Sequence, residues 1–274
     1  MLPKLVAFDV DGTLIDYEGR CTDRTRRALI ELRAHGVATA IATGRPLASV
    51  PETLGQVGQV DFAVCGNGGV VVELATQRVI RRSSVPGGLV DIVVPEMRKR
   101  LDGVGVAIDI GDRTIEEPGF DRRLPPRTTV EPVDDAYAAL GSPAPDVGRL
   151  IFFHDDFDAA IPELADIVRP LLDDRVEIFH GVLLPIVEVI PAGDNKAVAL
   201  DALSRDLGIA VDGVMAFGDG TNDLEMLEWA GTGVAMANSA DVTLAVADVV
   251  AASVDDDGVA VFIESLLARH KDDT

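Results

Sequence analysis

The sequence is poor in cysteine and in positive charge. Its 274 residues include two cysteines, Cys21 and Cys65, which are too few for a disulfide framework and lack the paired spacing of a zinc site. Lysine and arginine together number 24 against 46 aspartates and glutamates, so the formal net charge is −22. Such a charge disfavours binding to a nucleic-acid backbone or to an anionic membrane surface. We therefore expect neither as a partner.

Long uncharged apolar runs are also missing. None approaches the roughly 18 residues that suggest a membrane-spanning helix. Asp9 and Asp11 interrupt the apolar N-terminus before a signal-peptide core could form. These features lead us to expect a cytoplasmic protein, and we expect it to be a monomer or a weak homodimer.

The two ends of the sequence have the pattern of an α/β fold. Short continuous apolar runs, typical of parallel strands that are covered on both faces, alternate with segments of helical periodicity. The predicted strands are Leu5–Phe8, Val37–Ala42, Phe62–Val64, Val214–Phe217 and Val234–Ala237. The predicted helices are Thr22–Ala34 and Lys196–Leu207. This pattern predicts a Rossmann-like, doubly wound parallel sheet.

The middle of the sequence has a different character. Residues 82–190 contain several prolines and strand-like runs at Gly105–Ile110, Leu150–Phe153 and Val187–Ile190. We predict an α/β cap domain over 82–190, inserted into a discontinuous catalytic core of residues 1–81 and 191–274. The two connecting segments could then serve as hinges.

Two carboxylates follow the first predicted strand, in the segment Asp9-Val10-Asp11-Gly12-Thr13. Residues two apart in a strand project to the same side, so we expect both carboxylates in one site. Ligands of open α/β sheets bind beyond the carboxyl ends of the strands, where this pair lies. The alternatives are a simple capped turn or a calcium loop. The calcium loop is excluded because its pattern requires a glycine and a glutamate at two positions where this sequence has Leu14 and Arg20.

A second acidic turn, Gly218-Asp219-Gly220-Thr221-Asn222-Asp223, follows another predicted strand. Carboxylate and amide oxygens are hard ligands of the kind that Mg²⁺ prefers. Taken alone, this turn is equally compatible with an Asx turn that caps a helix. Together with the first acidic segment, it predicts a magnesium site.

These segments, in this order, resemble the motifs of the haloacid-dehalogenase-like phosphohydrolases. The four matching segments are Asp9–Thr13, Thr43-Gly44-Arg45, Lys196 and Gly218–Asp223. Further segments resemble the Cof-type sugar-phosphatase branch, namely Ala42–Pro46, Asn67-Gly68-Gly69, the large insertion and Gly233–Asn238. The likeness covers nearly the whole core, whereas the insertion matches only in position and size.

The resemblance implies a Mg²⁺-dependent phosphatase that acts on a small phosphorylated metabolite, foremost a sugar phosphate. Asp9 would attack phosphorus to give an aspartyl phosphate, and Asp11 would protonate the leaving alkoxide and then activate water. Magnesium would be held by Asp9, the Asp11 carbonyl and Asp219. Asp223 would support the metal through water or orient Lys196.

The resemblance also implies residues that bind the phosphoryl group and the substrate. Thr43 would donate a hydrogen bond to a phosphoryl oxygen, and Lys196 would provide a fixed positive charge beside it. The residues expected to bind substrate are Gly44, Arg45, Asn67 and Asn222.

Two of these residues have simpler interpretations, and so does Asp194, which lies near Lys196 in the sequence. Thr43 could be a helix N-cap, and Lys196 could be an exposed lysine at a helix start, where the helix dipole disfavours a cation. Asp194 is favoured as the cap of the helix that follows it.

Two other functions also remain open. One is phosphoryl transfer to a second hydroxyl, as in a phosphomutase acting on sugar phosphates. The other is a non-catalytic regulator that binds a phosphorylated metabolite, although a pure binder has no need of Asp11.

Overall fold

A computed structural model describes residues 2–120, 130–154, 164–180 and 186–272. The chain divides into two units. The first unit contains Met1–Arg45, Val50–Arg82 and Asn195–Thr274, and the second contains Pro46–Ser49 and Ser83–Asp194. The second unit thus begins at Ser83 rather than at residue 82, ends at Asp194 rather than at residue 190, and includes the short segment before Val50. Within the described residues, no helix has both the length and the apolar character to cross a bilayer.

The strands of the described residues are numbered in chain order. They are β1 (Leu5–Phe8), β2 (Ala38–Ala42), β3 (Phe62–Cys65), β4 (Val70–Glu73), β5 (Arg78–Arg82), β6 (Val104–Ile110), β7 (Arg113–Glu116), β8 (Val130–Pro132), β9 (Arg149–His154), β10 (Val176–His180), β11 (Val187–Pro191), β12 (Val214–Gly218), β13 (Thr232–Met236) and β14 (Val249–Ala251).

The α-helices are numbered in the same way. They are α1 (Asp23–Ala34), α2 (Val50–Val57), α3 (Gly87–Arg100), α4 (Ala136–Leu140), α5 (described over 164–168), α6 (Lys196–Asp206), α7 (Leu224–Trp229), α8 (Asp241–Val246) and α9 (Gly258–Asp272).

The first unit is built on one sheet with the strand order β14-β13-β12-β1-β2-β3-β4-β5. The strands from β14 to β3 are parallel, and β4 and β5 add an antiparallel edge. The chain leaves β1 toward β2 and later returns on the other side of β1 at β12. The order therefore reverses between β1 and β12, which is where open α/β sheets form their binding crevice.

Helices cover both faces of this sheet because its strands are apolar on both sides. On one face, Phe8 stacks on Phe217 at 5.2 Å between ring centroids, and Phe262 of α9 meets Phe217 edge-on at 5.2 Å. On the other face, Leu200 and Leu203 of α6 pack in the core. The predicted α/β fold with a doubly wound parallel sheet is confirmed.

The second unit has a mostly antiparallel sheet with the strand order β10-β11-β9-β6-β7-β8, in which β7 and β8 are parallel. Apolar side chains of α3, α4 and α5 join one face of this sheet in a core that includes Val106 and Phe152. Arg149 is on the opposite face, since side chains alternate along β9. It is buried and forms ion pairs with Asp109 and, at 3.1 Å, with Glu188.

Candidate active site

Adjacent parallel strands bring two of the predicted acids together. Asp9 directly follows β1 and Asp219 directly follows β12, and Phe8 is in register with Phe217. The Asp9 N–H donates to the Phe217 carbonyl at 2.8 Å, which continues the ladder to the edge of the sheet. One carboxylate oxygen from each of Asp9, Asp219 and Asp223 lies within 4.8 Å of the others. Three acids therefore share the crevice between β1 and β12.

Lys196 lies among these acids and is fully buried. Its Nζ donates to Asp9 Oδ1 at 2.5 Å and to Asp223 Oδ1 at 2.6 Å. Burial alone would lower the pKa of the amine, but the charges of Asp223 and Asp9 outweigh it and raise the lysine pKa. Lys196 is thus a buried ammonium, and its interpretation as an exposed lysine is wrong.

The start of α6 carries Lys196 into this position. Asn195 caps the helix, because its side chain accepts a hydrogen bond from the Val198 N–H at 2.8 Å. Asp194, which we expected to be the cap, instead accepts a hydrogen bond from Ser83. The helix thus begins with Lys196 as its first residue, directed into the core of the first unit.

The three acids carry more negative charge than Lys196 can neutralise. Burial and the nearby Asp223 raise the pKa of Asp9 well above its ordinary value, against the opposing effect of Lys196. Burial and Asp223 also raise the pKa of Asp219. An additional cation would offset the repulsion among the three carboxylates. Carboxylate oxygens are the donors that Mg²⁺ prefers. The donor set of Asp9 and Asp219 therefore fits magnesium.

Asp223 accepts three hydrogen bonds, against the two that Asp219 accepts from the described residues. Oδ1 accepts from Lys196, and Oδ2 accepts from the backbone N–H groups of Asp219 at 3.0 Å and Gly220 at 2.9 Å. A β-carbon on Gly218 would lie 2.5 Å from the Asp223 Cγ, so glycine is needed there. Of the two roles that the sequence allowed, these bonds favour orientation of Lys196 over binding of the metal.

Asp219 is held by residues of the turn that follows β1. Its Oδ1 accepts from the Thr13 hydroxyl at 3.0 Å, and its Oδ2 accepts from the Tyr17 hydroxyl at 3.1 Å. Gly12, with φ +86°, lets this turn lie against the Asp219 side chain, since a β-carbon on Gly12 would be only 2.2 Å from Asp219 Oδ2. The sequence did not indicate Tyr17, because the reach of a side chain from an irregular turn has no periodic signal.

Asp11 departs from the expected arrangement. Its carboxylate pairs with Arg45, through Nε to Oδ2 at 2.9 Å and Nη2 to Oδ1 at 2.6 Å, and is not part of the three-acid cluster. The expectation that Asp9 and Asp11 share a site depended on strand alternation, but β1 ends at Phe8. Strand alternation does not extend into the turn that contains Asp11. Its carboxylate instead lies where Arg45 can hold both oxygens.

Arg45 is anchored on its other side by α2. Its Nη1 donates to the Thr53 hydroxyl at 3.1 Å and to Gln56 Oε1 at 3.2 Å. Burial lowers the pKa of a guanidinium, but the contact with Asp11 outweighs it and the Arg45 pKa is raised. The sequence suggested a substrate-binding role for Arg45 and gave no sign of this pair.

The other predicted site residues lie on the loops after β2, β3 and β12. Thr43 is buried, and its hydroxyl accepts from the Arg45 N–H at 3.0 Å, which is a local turn rather than a helix cap. Asn67, with φ +52°, accepts from Asn222 Nδ2 at 3.0 Å. Gly44 lies close to Asn67, because a β-carbon on Gly44 would be 3.1 Å from Asn67 Oδ1.

The chain is similar to known proteins over nearly its whole length. A family model described as haloacid dehalogenase-like hydrolase matches residues 6–263. The chain is 30% identical to the putative phosphatase YkrA of Bacillus subtilis, over 96% of this chain and 97% of that protein. It is also 30% identical to the 5-amino-6-(5-phospho-D-ribitylamino)uracil phosphatase YitU of the same organism, with the same coverage of 96% and 97%.

A solved structure extends the likeness to the whole fold. The sugar phosphatase BT4131, of subclass IIB, is 25% identical, and the match covers 96% of this chain and 98% of that chain with a TM-score of 0.76. The chain belongs to the haloacid dehalogenase-like hydrolases, in their Cof-type branch. Within that family it is a phosphatase, as its relatives are.

The close approach of Gly12 to Asp219 generates a prediction. Gly12→Ala combines an unfavourable φ with a displaced Asp219 carboxylate, so we expect phosphatase activity to fall about 100-fold. Gly36→Ala is the matched control, because Gly36 has φ +78° and a β-carbon there would meet no atom within 4 Å. Both variants should lose roughly 1–2 kcal/mol of stability from the left-handed backbone, measured by denaturant unfolding. Equal activities of the two variants would contradict the role given to this approach.

Proposed function

We propose that this protein is a Mg²⁺-dependent phosphatase that hydrolyses a small phosphorylated metabolite, foremost a sugar phosphate, through an aspartyl phosphate. The observation that carries the proposal is the buried ammonium of Lys196 between Asp9 and Asp223, with Asp219 beside them. A buried carboxylate that is paired with a fixed cation and lies beside a second carboxylate able to bind a metal is equipped to attack an anionic phosphate.

Asp9 is the proposed nucleophile. One of its carboxylate oxygens attacks phosphorus, the new acyl-phosphate bond forms, and the ester P–O bond breaks with its electron pair leaving on the alkoxide. Lys196 stays charged throughout and stabilises the negative charge on Asp9 and on the phosphoryl oxygens. When bound by Asp9, Asp219 and the Asp11 carbonyl, Mg²⁺ supplies the charge neutralisation that lets a carboxylate approach a phosphate dianion.

Asp11 is the proposed proton donor and acceptor. In the first step it gives a proton to the departing alkoxide. In the second it takes a proton from the water that attacks phosphorus; the P–O bond to the Asp9 carboxyl oxygen then breaks, which releases inorganic phosphate and restores the Asp9 carboxylate. Arg45 donates to both oxygens of Asp11 and so fixes the carboxyl group, while the second lone pair of each oxygen is left for the leaving group or for water. We therefore propose that Arg45 positions Asp11, in addition to the contact with substrate that the sequence suggested.

Thr43 and the neighbouring loops are proposed to hold the phosphoryl group. The Thr43 hydroxyl accepts its hydrogen bond from Arg45, and its own proton can be donated to a phosphoryl oxygen. The hydrogen bond between Asn67 and Asn222 fixes the two loops on which substrate contacts are proposed. Gly44 is also proposed to contact the substrate, and its lack of a side chain leaves room for Asn67.

Asp9, Lys196 and Thr43 are assigned only to phosphate and metal, so the choice of substrate depends on contacts with the leaving group. Two kinds of leaving group are favoured by the relatives. BT4131 is named a sugar phosphatase, and YitU is named for a phosphoribityl compound that carries a uracil ring. A panel of sugar phosphates, nucleotides and phosphorylated vitamins distinguishes them by phosphate release.

Substitution of the proposed nucleophile is the first test. Asp9→Asn keeps the size and hydrogen bonding of the side chain but removes its nucleophilic charge, so we expect phosphate release to fall by at least about 10⁴-fold. The assay is run with Mg²⁺ and with excess chelator, in which the unmodified protein should also be inactive. Asp201→Asn is the control, because Asp201 pairs with Arg205 on the surface of α6. Substantial turnover by Asp9→Asn, with Asp201→Asn unaffected, would exclude Asp9 as the nucleophile.

Substitution of the proposed acid has a more specific signature. Asp11→Asn should reduce hydrolysis of a sugar phosphate about 100-fold, because an alkoxide leaves poorly without a proton. An aryl phosphate has a good leaving group and should lose less. The ratio of kcat/KM for the two substrates reports this difference, and equal losses would contradict the role of Asp11 as the acid.

A further inference from the structure

Tyr17 combines an exposed ring with a hydroxyl that reaches the buried acids. Its relative exposure is 65%, the largest among the exposed large hydrophobic side chains of the described residues. Its hydroxyl nevertheless donates to Asp219 Oδ2 at 3.1 Å, and Asp219 itself is only 9% exposed. Because most of the ring is in solvent, Tyr17 contributes little to the core, and its contact with Asp219 requires another explanation.

The contact completes a set of restraints on one carboxylate. Thr13 donates to Oδ1 and Tyr17 to Oδ2, while Gly12 closes against the same side chain. Two donors on different oxygens fix the rotation of the carboxyl group, which a single donor cannot do. Both hydrogen bonds also favour the charged form of Asp219 and so oppose the rise in its pKa that burial and Asp223 cause.

We propose that Tyr17 is a positioning residue for the metal site, which holds the Asp219 carboxylate ready to bind Mg²⁺. The inference rests on the proposed function, in which Asp219 is a ligand of that metal. Side chains that hydrogen-bond to a metal ligand orient it, and their removal typically weakens metal binding 10- to 100-fold. Tyr17 belongs to the first unit, as do Thr13 and Asp219, so the restraint is complete within that unit.

The chain offers a matched pair of variants, because it has two tyrosines, Tyr17 and Tyr137. The Tyr137 hydroxyl donates to Asp91 at 2.9 Å in the second unit. Tyr17→Phe and Tyr137→Phe therefore each remove one hydroxyl that is bonded to an aspartate, and only the first is at the acidic cluster. The Mg²⁺ dissociation constant is measured by calorimetry without substrate. The variant Asp219→Asn, which lacks one proposed ligand, measures the weak binding of Mg²⁺ to other acidic residues of the protein.

We expect Tyr17→Phe to bind Mg²⁺ about 10-fold more weakly, with an unchanged melting temperature in chelator. The Mg²⁺ concentration for half-maximal activity should rise by the same factor, while kcat at saturating Mg²⁺ stays close to that of the parent. Tyr137→Phe should keep the parent's affinity. In that variant Tyr17 is the single remaining tyrosine, and its isotope-labelled ring signal should shift when Mg²⁺ is added.

The outcomes separate this inference from the proposed function. If the parent binds Mg²⁺ and Tyr17→Phe binds it equally well, Tyr17 does not position the site and the inference is overturned. An unshifted Tyr17 signal at saturating Mg²⁺ would overturn it as well. If the parent binds no more Mg²⁺ than Asp219→Asn does, the magnesium site of the proposed function fails, and the inference falls with it.

Discussion

The burial of one ammonium group, that of Lys196, constrains the rest of the site. Its Nζ has carboxylates at 2.5 and 2.6 Å and is removed from solvent. An unpaired buried charge would cost several kcal/mol, and breaking such a pair by removing one partner typically costs about 3–5 kcal/mol. The first unit must therefore bring Asp9 from β1 and Asp223 from the turn after β12 to the start of α6. The position of β1 between β2 and β12 makes this possible.

The same constraint explains the rest of the acidic turn. Asp223 reaches Lys196 only if its backbone turn is tight, and the N–H groups of Asp219 and Gly220 close that turn onto the second oxygen of Asp223. This closure leaves Asp219 facing the Asp9 side of the crevice, where Thr13 and Tyr17 hold it. Two carboxylates pair with one ammonium and Asp219 adds a third negative charge beside them, and the remaining negative charge suits the cation that the proposed chemistry requires.

The sequence predicted the central strands well, because continuous apolar runs such as Leu5–Phe8 have few alternatives in a chain of this composition. It did not predict the edge strand β5 or the helix α3. Strand β5 carries three arginines among its five residues and has no apolar pattern, and α3 contains Pro95, which disfavours a helix interior. The pairing of Asp11 with Arg45 and the reach of Tyr17 depend on loop geometry. No local periodicity records such geometry, so both had to be observed in the structure.

The central claim is that Asp9, paired with Lys196, becomes covalently phosphorylated. Borohydride added during turnover reduces an aspartyl phosphate to homoserine, which leaves a stable mark that peptide mass spectrometry locates. The account predicts homoserine at Asp9 in the presence of Mg²⁺ and a substrate that the protein hydrolyses, and none in Asp9→Asn. Turnover with no mark at Asp9, or with the mark at another aspartate, would contradict it.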